Sequence, residues 1–317
     1  MKVGIVGAGA VGSACALSLL HCGTARDIVL VDRDRQRAAA VATDMRYGTP
    51  LLSTVDIRDG SYDDLADADL VMITAGVNEK SGGATDRSDA NGRLRLLDVN
   101  VPVYEEILPQ ISAAAPDAVL MVVTDPPDPL ADLTRHLVGH DRVFSTGTLI
   151  DSLRLRVHIA QRFGVSPESV DAMVIGEHGT SEVLLWSSAR VAGTPVQDAC
   201  AERGQAFETL REGVEADVRY ANISIIDGND ASQYGIGIAC ARLADAVLRD
   251  ERVVLPIATY QERYGVTLAL PTVVGREGAM SVFEPPMSDD ERDQLQRSVE
   301  QLSSAVGRIG LGATRGS

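Results

Sequence analysis

Near its start the chain carries a run that few folds accommodate. Residues 3–6 are Val-Gly-Ile-Val, an apolar stretch of strand length. Gly7-Ala8-Gly9-Ala10-Val11-Gly12 follows at once and opens the helical spacing of residues 10–21. Each glycine answers a separate demand. Gly7 makes a tight turn, Gly9 lets the backbone approach a pyrophosphate, and Gly12 lets the helix pack on the strand. The helix start, through residues such as Ala10 and Val11, then offers unpaired N–H groups to the anion. Asp32 ends the second strand, twenty residues after Gly12. A carboxylate there bonds both ribose hydroxyls and repels a 2′-phosphate, which favours NAD over NADP. The glycine turn taken alone would also suit FAD or a sugar nucleotide.

The pattern continues through the first half. Strands are expected at residues 28–31, 55–57, 70–73, 119–123 and 143–145, with helices at 33–46, 94–115 and 127–138. Continuous apolar strands between helices specify a parallel sheet covered on both faces. The second half is less regular. It reads as helices near 149–163, 197–226, 232–248 and 289–306, with strands near 172–175, 183–186, 253–260 and 267–274. The expected organisation is a Rossmann-type doubly wound α/β domain over residues 1–146 and an α+β substrate domain over 147–317. A length of 317 residues suits two domains. Residues 78–92 are polar and Gly-rich, long for a strand–helix connection. Such loops are usually lids, binding loops or disorder.

Charge narrows the partners. Lys plus Arg is 29 against 45 for Asp plus Glu, a formal net charge of -16. Duplex nucleic acid and anionic membranes need a basic face and are excluded as partners. A small anion is not, because a few arginines can reverse the field inside a cleft. No apolar run approaches the ~20 residues of a membrane span, and no signal-peptide pattern begins the chain. Cys15, Cys22, Cys200 and Cys240 form no C-x-x-C pair, so no metal site is expected. Cys15 and Cys22 share a helix face and read as buried and reduced, which suits the cytoplasm.

Two short motifs carry acid–base potential. Gly176-Glu177-His178-Gly179 follows an apolar strand. A histidine between glycines at a strand end can face a cleft and exchange protons near neutral pH. Asp151-Ser152-Leu153-Arg154 places a carboxylate and a guanidinium on one helix face. By spacing alone this is a surface ion pair. In a site, the acid could orient a histidine and the arginine could grip a carboxylate with two prongs.

Taken together, these pieces resemble the lactate/malate dehydrogenase family of NAD-dependent L-2-hydroxyacid dehydrogenases. The likeness runs nearly end to end. It rests on the glycine motif, Asp32, Thr74-Ala75-Gly76, Thr124-Asp125-Pro126, Leu149-Ile150-Asp151-Ser152-Leu153-Arg154, Gly176-Glu177-His178-Gly179, and Ser232 before Tyr234-Gly235-Ile236-Gly237. The resemblance implies that Gly7, Gly9, Ala10, Val11, Gly12, Asp32, Thr74, Ala75, Gly76, Asn100 and Thr124 hold NAD. It implies that His178 protonates the carbonyl of a 2-oxo acid, that Asp151 orients it, and that Arg154 fixes the C1 carboxylate. Arg93, seven residues before Asn100, matches the family's mobile-loop arginine, which polarises the C2 oxygen. Arg95 lies off that spacing. The family assembles as dimers or tetramers, here through the helix bearing Asp44-Met45-Arg46-Tyr47-Gly48.

Two departures bear on substrate. The family has about eight residues between its Ala-Gly and the loop arginine; here 77–92 intervene, about twice as many. Counted forward, Glu79 takes the discriminating position. Counted back, Arg87 takes it; Lys80 is a third candidate. Arg87 would pair with a second acidic group, whereas Glu79 would suit a neutral or cationic side chain. The malate-like run Asp86-Arg87-Ser88-Asp89 tips the expectation toward a doubly anionic 2-oxo acid, with lactate-type or bulkier acids next. Second, Asp125 stands where the family has Asn. An ionised Asp accepts hydrogen bonds but donates none, and it repels a carboxylate. This makes an NAD-binding sensor without turnover the rival from another class. Ser232 keeps a hydroxyl where lactate enzymes have Thr. The resemblance also implies a cis Asp125–Pro126 bond.

Overall fold

The computed structural model describes residues 1–52, 55–78, 80–82 and 92–311, the side chains of 92–94 excepted. Six parallel strands form the first half: β1 (Lys2–Val6), β2 (Asp27–Val31), β3 (Asp56–Asp59), β4 (Leu70–Ile73), β5 (Val119–Val122) and β6 (Val143–Ser145). They lie in the order β3-β2-β1-β4-β5-β6. Helices α1 (Ala10–Cys22), α2 (Arg35–Arg46), α3 (Gly92–Ala114) and α4 (Pro127–Val138) connect them. This is the doubly wound parallel sheet that the alternation specifies. All four residues of β4 and of β5 are buried, because helices cover both faces of the sheet. Strand order reverses between β1 and β4, which opens a ligand crevice beyond their C-terminal ends.

Local chemistry sets the helix limits. Asp34 caps α2 by accepting from the N–H of Arg37, so that helix begins two residues later than its polar pattern suggests. α1 ends on Gly23 at φ 68°, whose N–H reaches back to the carbonyl of Leu19.

The second half holds α5 (Leu149–Phe163), short strands β7 (Val170–Asp171), β8 (Val174–Ile175), β9 (Val183–Leu184), β10 (Arg190–Val191) and β11 (Thr194–Pro195), then α6 (Val196–Glu202), α7 (Phe207–Arg219), α8 (Ala221–Asn229) and α9 (Tyr234–Leu248). It closes with β12 (Val253–Gln261), β13 (Val266–Gly275), β14 (Gly278–Val282) and α10 (Asp289–Arg308). Several features differ from expectation, among them the short strands β7, β10, β11 and β14, which the pattern does not mark. The single helix expected over 197–226 is three. Gly204, at φ 64°, lies between the first two, and Tyr220 leaves helical geometry between the second and third. And β12–β14 extend the first sheet past β6 in antiparallel order, giving nine strands. Hydrophobicity reports that a strand is buried, not which strand it pairs with.

One core layer accordingly draws on both halves: Leu19, Ile28 and Met72 pack in one cluster with Cys240 and Leu243 of α9. The opposite face joins Val71 and Ile73 to Leu108 of α3 and Leu130 of α4. Each such fully buried side chain contributes on the order of 1.5–3 kcal/mol. Gly237 lets α9 press against α1, for a Cβ there would sit 2.7 Å from the Ala14 backbone. Cys15 is buried as expected, but Cys22 is exposed. It is the last residue of α1, where the shared helix face has run past the edge of the core. Among the described residues, no helix is long and apolar enough to cross a membrane, and no side-chain group could hold a metal ion.

Candidate active site

A cleft of about 270 Å³ lies beyond the C-terminal ends of the central strands. Gly9, Ala10, Val11, Thr74, Gly76 and Thr124 line one part of it, and Asp125, Arg154, His178 and Ser232 another. The glycine loop divides its labour as its sequence implies. Gly7 has φ 108°, and a Cβ on it would meet Ala75 N at 2.6 Å. Gly12 leaves no room at all, since its Cβ would fall 1.9 Å from the Gly7 carbonyl oxygen. Gly9 has nothing within 4 Å of an added Cβ, so its backbone borders open space. That space, at the N-terminus of α1, fits a pyrophosphate.

Asp32 directly follows β2. Its Oδ2 accepts from Ala8 N at 2.7 Å and its Oδ1 from Asp34 N at 2.8 Å. The carboxylate is therefore fixed against the glycine loop, where ribose hydroxyls would arrive. Thr74 donates to the Gly7 carbonyl at 2.7 Å, and Thr124 to the Ala75 carbonyl at 2.8 Å. These bonds tie the ends of β1, β4 and β5 together. Asn100, expected at the cofactor, is bonded within the protein. It is fully buried, its Oδ1 accepts from Val77 N at 2.7 Å, and its amide donates to the Asp125 carbonyl at 2.9 Å. It braces two segments of the wall from behind.

Two elements build the acid–base group. α5 places Asp151 and Arg154 one turn apart, facing inward. His178 follows β8 through Gly176, whose φ of 87° and contact with Ser298 suit only glycine. The His178 Nδ1 lies 2.6 Å from Asp151 Oδ2. The other oxygen of the same carboxylate accepts from Arg154 at 2.9 Å. Asp151 is 2 % exposed, against 18 % for His178 and 13 % for Arg154. A carboxylate at Nδ1 puts the neutral imidazole's proton there, so proton exchange belongs to Nε2. The backbone N–H of His178 donates to Asp128 Oδ2 at 2.8 Å, and Ser145 donates to Asp128 Oδ1 at 2.6 Å. Burial pushes Asp128 up to about 6 despite these bonds.

The long loop is described only in part. Lys80 forms an ion pair with Asp230 at the exposed end of α8, next to Ala231 and Ser232 of the cleft wall. Glu79, Arg87 and the Arg93 side chain lie outside the described residues; the Arg93 backbone belongs to the first turn of α3. Asp125 and Ser232 both line the cleft, and the Asp125–Pro126 bond is cis.

The sequence reading missed Arg37, Asn222 and Asp128. Arg37 and Asn222 reach the cleft from α2 and α8. Nothing in their local sequence marks them, because the cleft side of those helices is defined only by tertiary packing. Asp128 had a signal: an acid just inside a helix that begins with proline at a strand end.

Comparison with known proteins agrees with this geometry. Residues 1–144 match the lactate/malate dehydrogenase NAD binding domain, and residues 148–309 the lactate/malate dehydrogenase alpha/beta C-terminal domain. The L-lactate dehydrogenase of Deinococcus radiodurans is 43% identical over 312 residues, covering 98% of this chain and 100% of the relative. That of Thermus aquaticus is 41% identical over 320 residues, with the same coverage. The crystal structure of the minor L-lactate dehydrogenase from Enterococcus mundtii superposes with a TM-score of 0.90 at 31% identity, covering 97% of this chain and 98% of that one. A fold with an NAD-binding half and these relatives define an NAD-dependent 2-hydroxyacid dehydrogenase, an oxidoreductase. The chain belongs to the lactate/malate dehydrogenase family.

Proposed function

We propose that the protein interconverts a 2-oxo monocarboxylic acid and its L-2-hydroxy acid, in the manner of a lactate dehydrogenase. The observation that carries this is one buried carboxylate, Asp151, holding both His178 and Arg154 at the edge of a cofactor cleft. Arg154 pairs with the substrate's C1 carboxylate. His178 gives the Nε2 proton to the C2 oxygen during reduction and takes it back during oxidation. Asp151 keeps the imidazole in one tautomer and stabilises its cation. Arg93, in the first turn of α3, polarises the C2 oxygen. Gly9 and the start of α1 bind pyrophosphate, and Asp32 the adenosine ribose. Bound NAD supplies the hydride chemistry at C2.

A monocarboxylate is the better substrate for two reasons. The relatives reported above are named L-lactate dehydrogenases. Asp125 also adds an acid to the cleft wall, which raises the cost of a second substrate carboxylate. The doubly anionic substrate expected from Arg87 gains no support. The protein would act as a homo-oligomer, because an apolar groove between α1 and α9, bordered by Met45, lies on its surface.

The test is NADH oxidation with pyruvate, longer aliphatic 2-oxo acids and oxaloacetate. We expect the best monocarboxylate to exceed oxaloacetate at least about tenfold in kcat/KM. A preference for oxaloacetate would reverse the substrate assignment. Tight NADH binding with no turnover on any of them would remove it.

A further inference from the structure

Glu182 lies four residues beyond His178, where the His178 turn enters β9. Its N–H donates to the Gly179 carbonyl at 3.2 Å. The residue is 3 % exposed, and its Oε1 has no hydrogen-bond partner among the described residues. Nothing in the mechanism above uses it. The charged groups that act on it come from three elements: Asp151 and Arg154 of α5, Arg219 of α7, and His178 of its own turn. Arg219 Nε is likewise buried without a partner among the described residues.

Asp151 and Glu182 are therefore two buried carboxyl groups close enough for their charges to act on one another and on His178. Like charges so buried do not both ionise cheaply, and the proton settles on the acid with fewer donors. Asp151 receives Arg154 and the His178 ring. Glu182 has an oxygen with no donor. Burial first, and the Asp151 charge second, hold Glu182 well above the ordinary carboxylate range, against the pull of Arg219, His178 and Arg154.

We propose that Glu182 is a positioning residue for the proton chemistry of His178: a buried acid with an unpartnered oxygen that, while neutral, leaves Asp151 as the only carboxylate charge of the two and, once ionised, helps retain the proton on His178. The inference rests on the proposed role of His178. Reduction needs His178 protonated, so a carboxylate that forms at alkaline pH slows the loss of that state. Two other acids face His178. Asp128 on α4 titrates lower, near 6, and so acts on the acid side; Glu177 on the same turn accepts from Ser181 at 2.5 Å.

The experiment compares wild type with Glu182→Gln, which keeps the shape but cannot ionise. Reductive kcat/KM is followed from about pH 6 to about pH 9.5. One pH unit of altered histidine affinity is tenfold in its protonated fraction, and the ratio of wild type to variant should grow at least about fivefold over the alkaline half of that range. Parallel profiles would overturn the proposal. Infrared spectra give a readout independent of turnover. The wild-type-minus-variant difference spectrum should show one carboxylic acid carbonyl band above the amide bands that disappears at higher pH than the bands of Asp128 and Asp132, which both proteins share. Absence of that difference band sinks the proposal. A titrating Glu182 band in a protein inactive toward all 2-oxo acids would instead remove the dehydrogenase reading.

Discussion

His178 Nδ1 stands 2.6 Å from Asp151 Oδ2, and Asp151 is buried while the imidazole reaches the cleft. On the proposed assignment, the acid acts through the ring and never meets the substrate. Asp151→Asn keeps the volume but removes the charge and offers an amide that can hold the wrong tautomer. It also weakens the anchor of Arg154. We expect kcat to fall by about 10²–10⁴, with NADH affinity within about threefold of wild type. Steady-state kinetics and NADH fluorescence titration check both. A comparable loss of NADH affinity would mean that Asp151 holds up the cleft as a whole.

The glycine loop separates packing from binding. Gly12→Ala would drive a Cβ to 1.9 Å from a backbone oxygen, and Gly9→Ala meets nothing within 4 Å. Gly12→Ala should therefore destabilise the fold, by about 2 kcal/mol or more. Gly9→Ala should fold with an unchanged melting temperature yet bind NADH at least about tenfold more weakly, because the added methyl occupies the pyrophosphate approach. Thermal melts and NADH titrations of the two variants give this crossed pattern if the loop holds the cofactor. A Gly9→Ala protein with normal NADH affinity would place the pyrophosphate elsewhere.

What the sequence made legible followed local rules. The glycines, Asp32 and the Asp151–Arg154 pair could be read because turn geometry and helix spacing are written within a few residues. The join of β12 to β6 could not, because it is a single ladder pair, Ala258 with Ser145, between distant segments. Asn100 was found through family spacing, while only the fold shows its amide turned onto Val77 and Asp125. Glu182 and Asp128 escaped for a related reason. An acid reads as a solvated residue until tertiary packing covers it.

Asp132 offers a stability test away from the cleft. It lies in α4, 8 % exposed, and both its oxygens accept from Thr267, at 2.9 Å from the N–H and 2.7 Å from the hydroxyl. Burial still pushes it up to about 6. The native state thus binds this proton more tightly than the unfolded chain, so its contribution is full at low pH and is lost as pH rises toward and through 6. Asp132→Asn has no such titration. In urea unfolding, the stability of wild type relative to the variant should fall by about 1 kcal/mol between about pH 5 and about pH 7.5. A pH-independent difference would show that the carboxylate is already ionised at the lower pH.

The groove between α1 and α9 would, on the proposed assembly, link the interface to the cofactor cleft. Leu17, Tyr234 and Ile238 are 47%, 65% and 64% exposed, and all border one apolar hollow of about 570 Å³. Contiguous apolar surface of this kind marks an interaction face. A second copy of the chain is the proposed occupant, since Met45, in the helix through which the family assembles, borders the same hollow. Ile238→Asp places an unpaired charge at its centre and should convert the oligomer to monomer in analytical ultracentrifugation. The same helices carry the glycine loop at Ala10 and the cleft residue Ile236. Loss of the interface should therefore loosen the cofactor wall, raising the NADH Kd about threefold or more in the monomer. An Ile238→Asp protein that keeps its oligomeric mass would move the interface to another face.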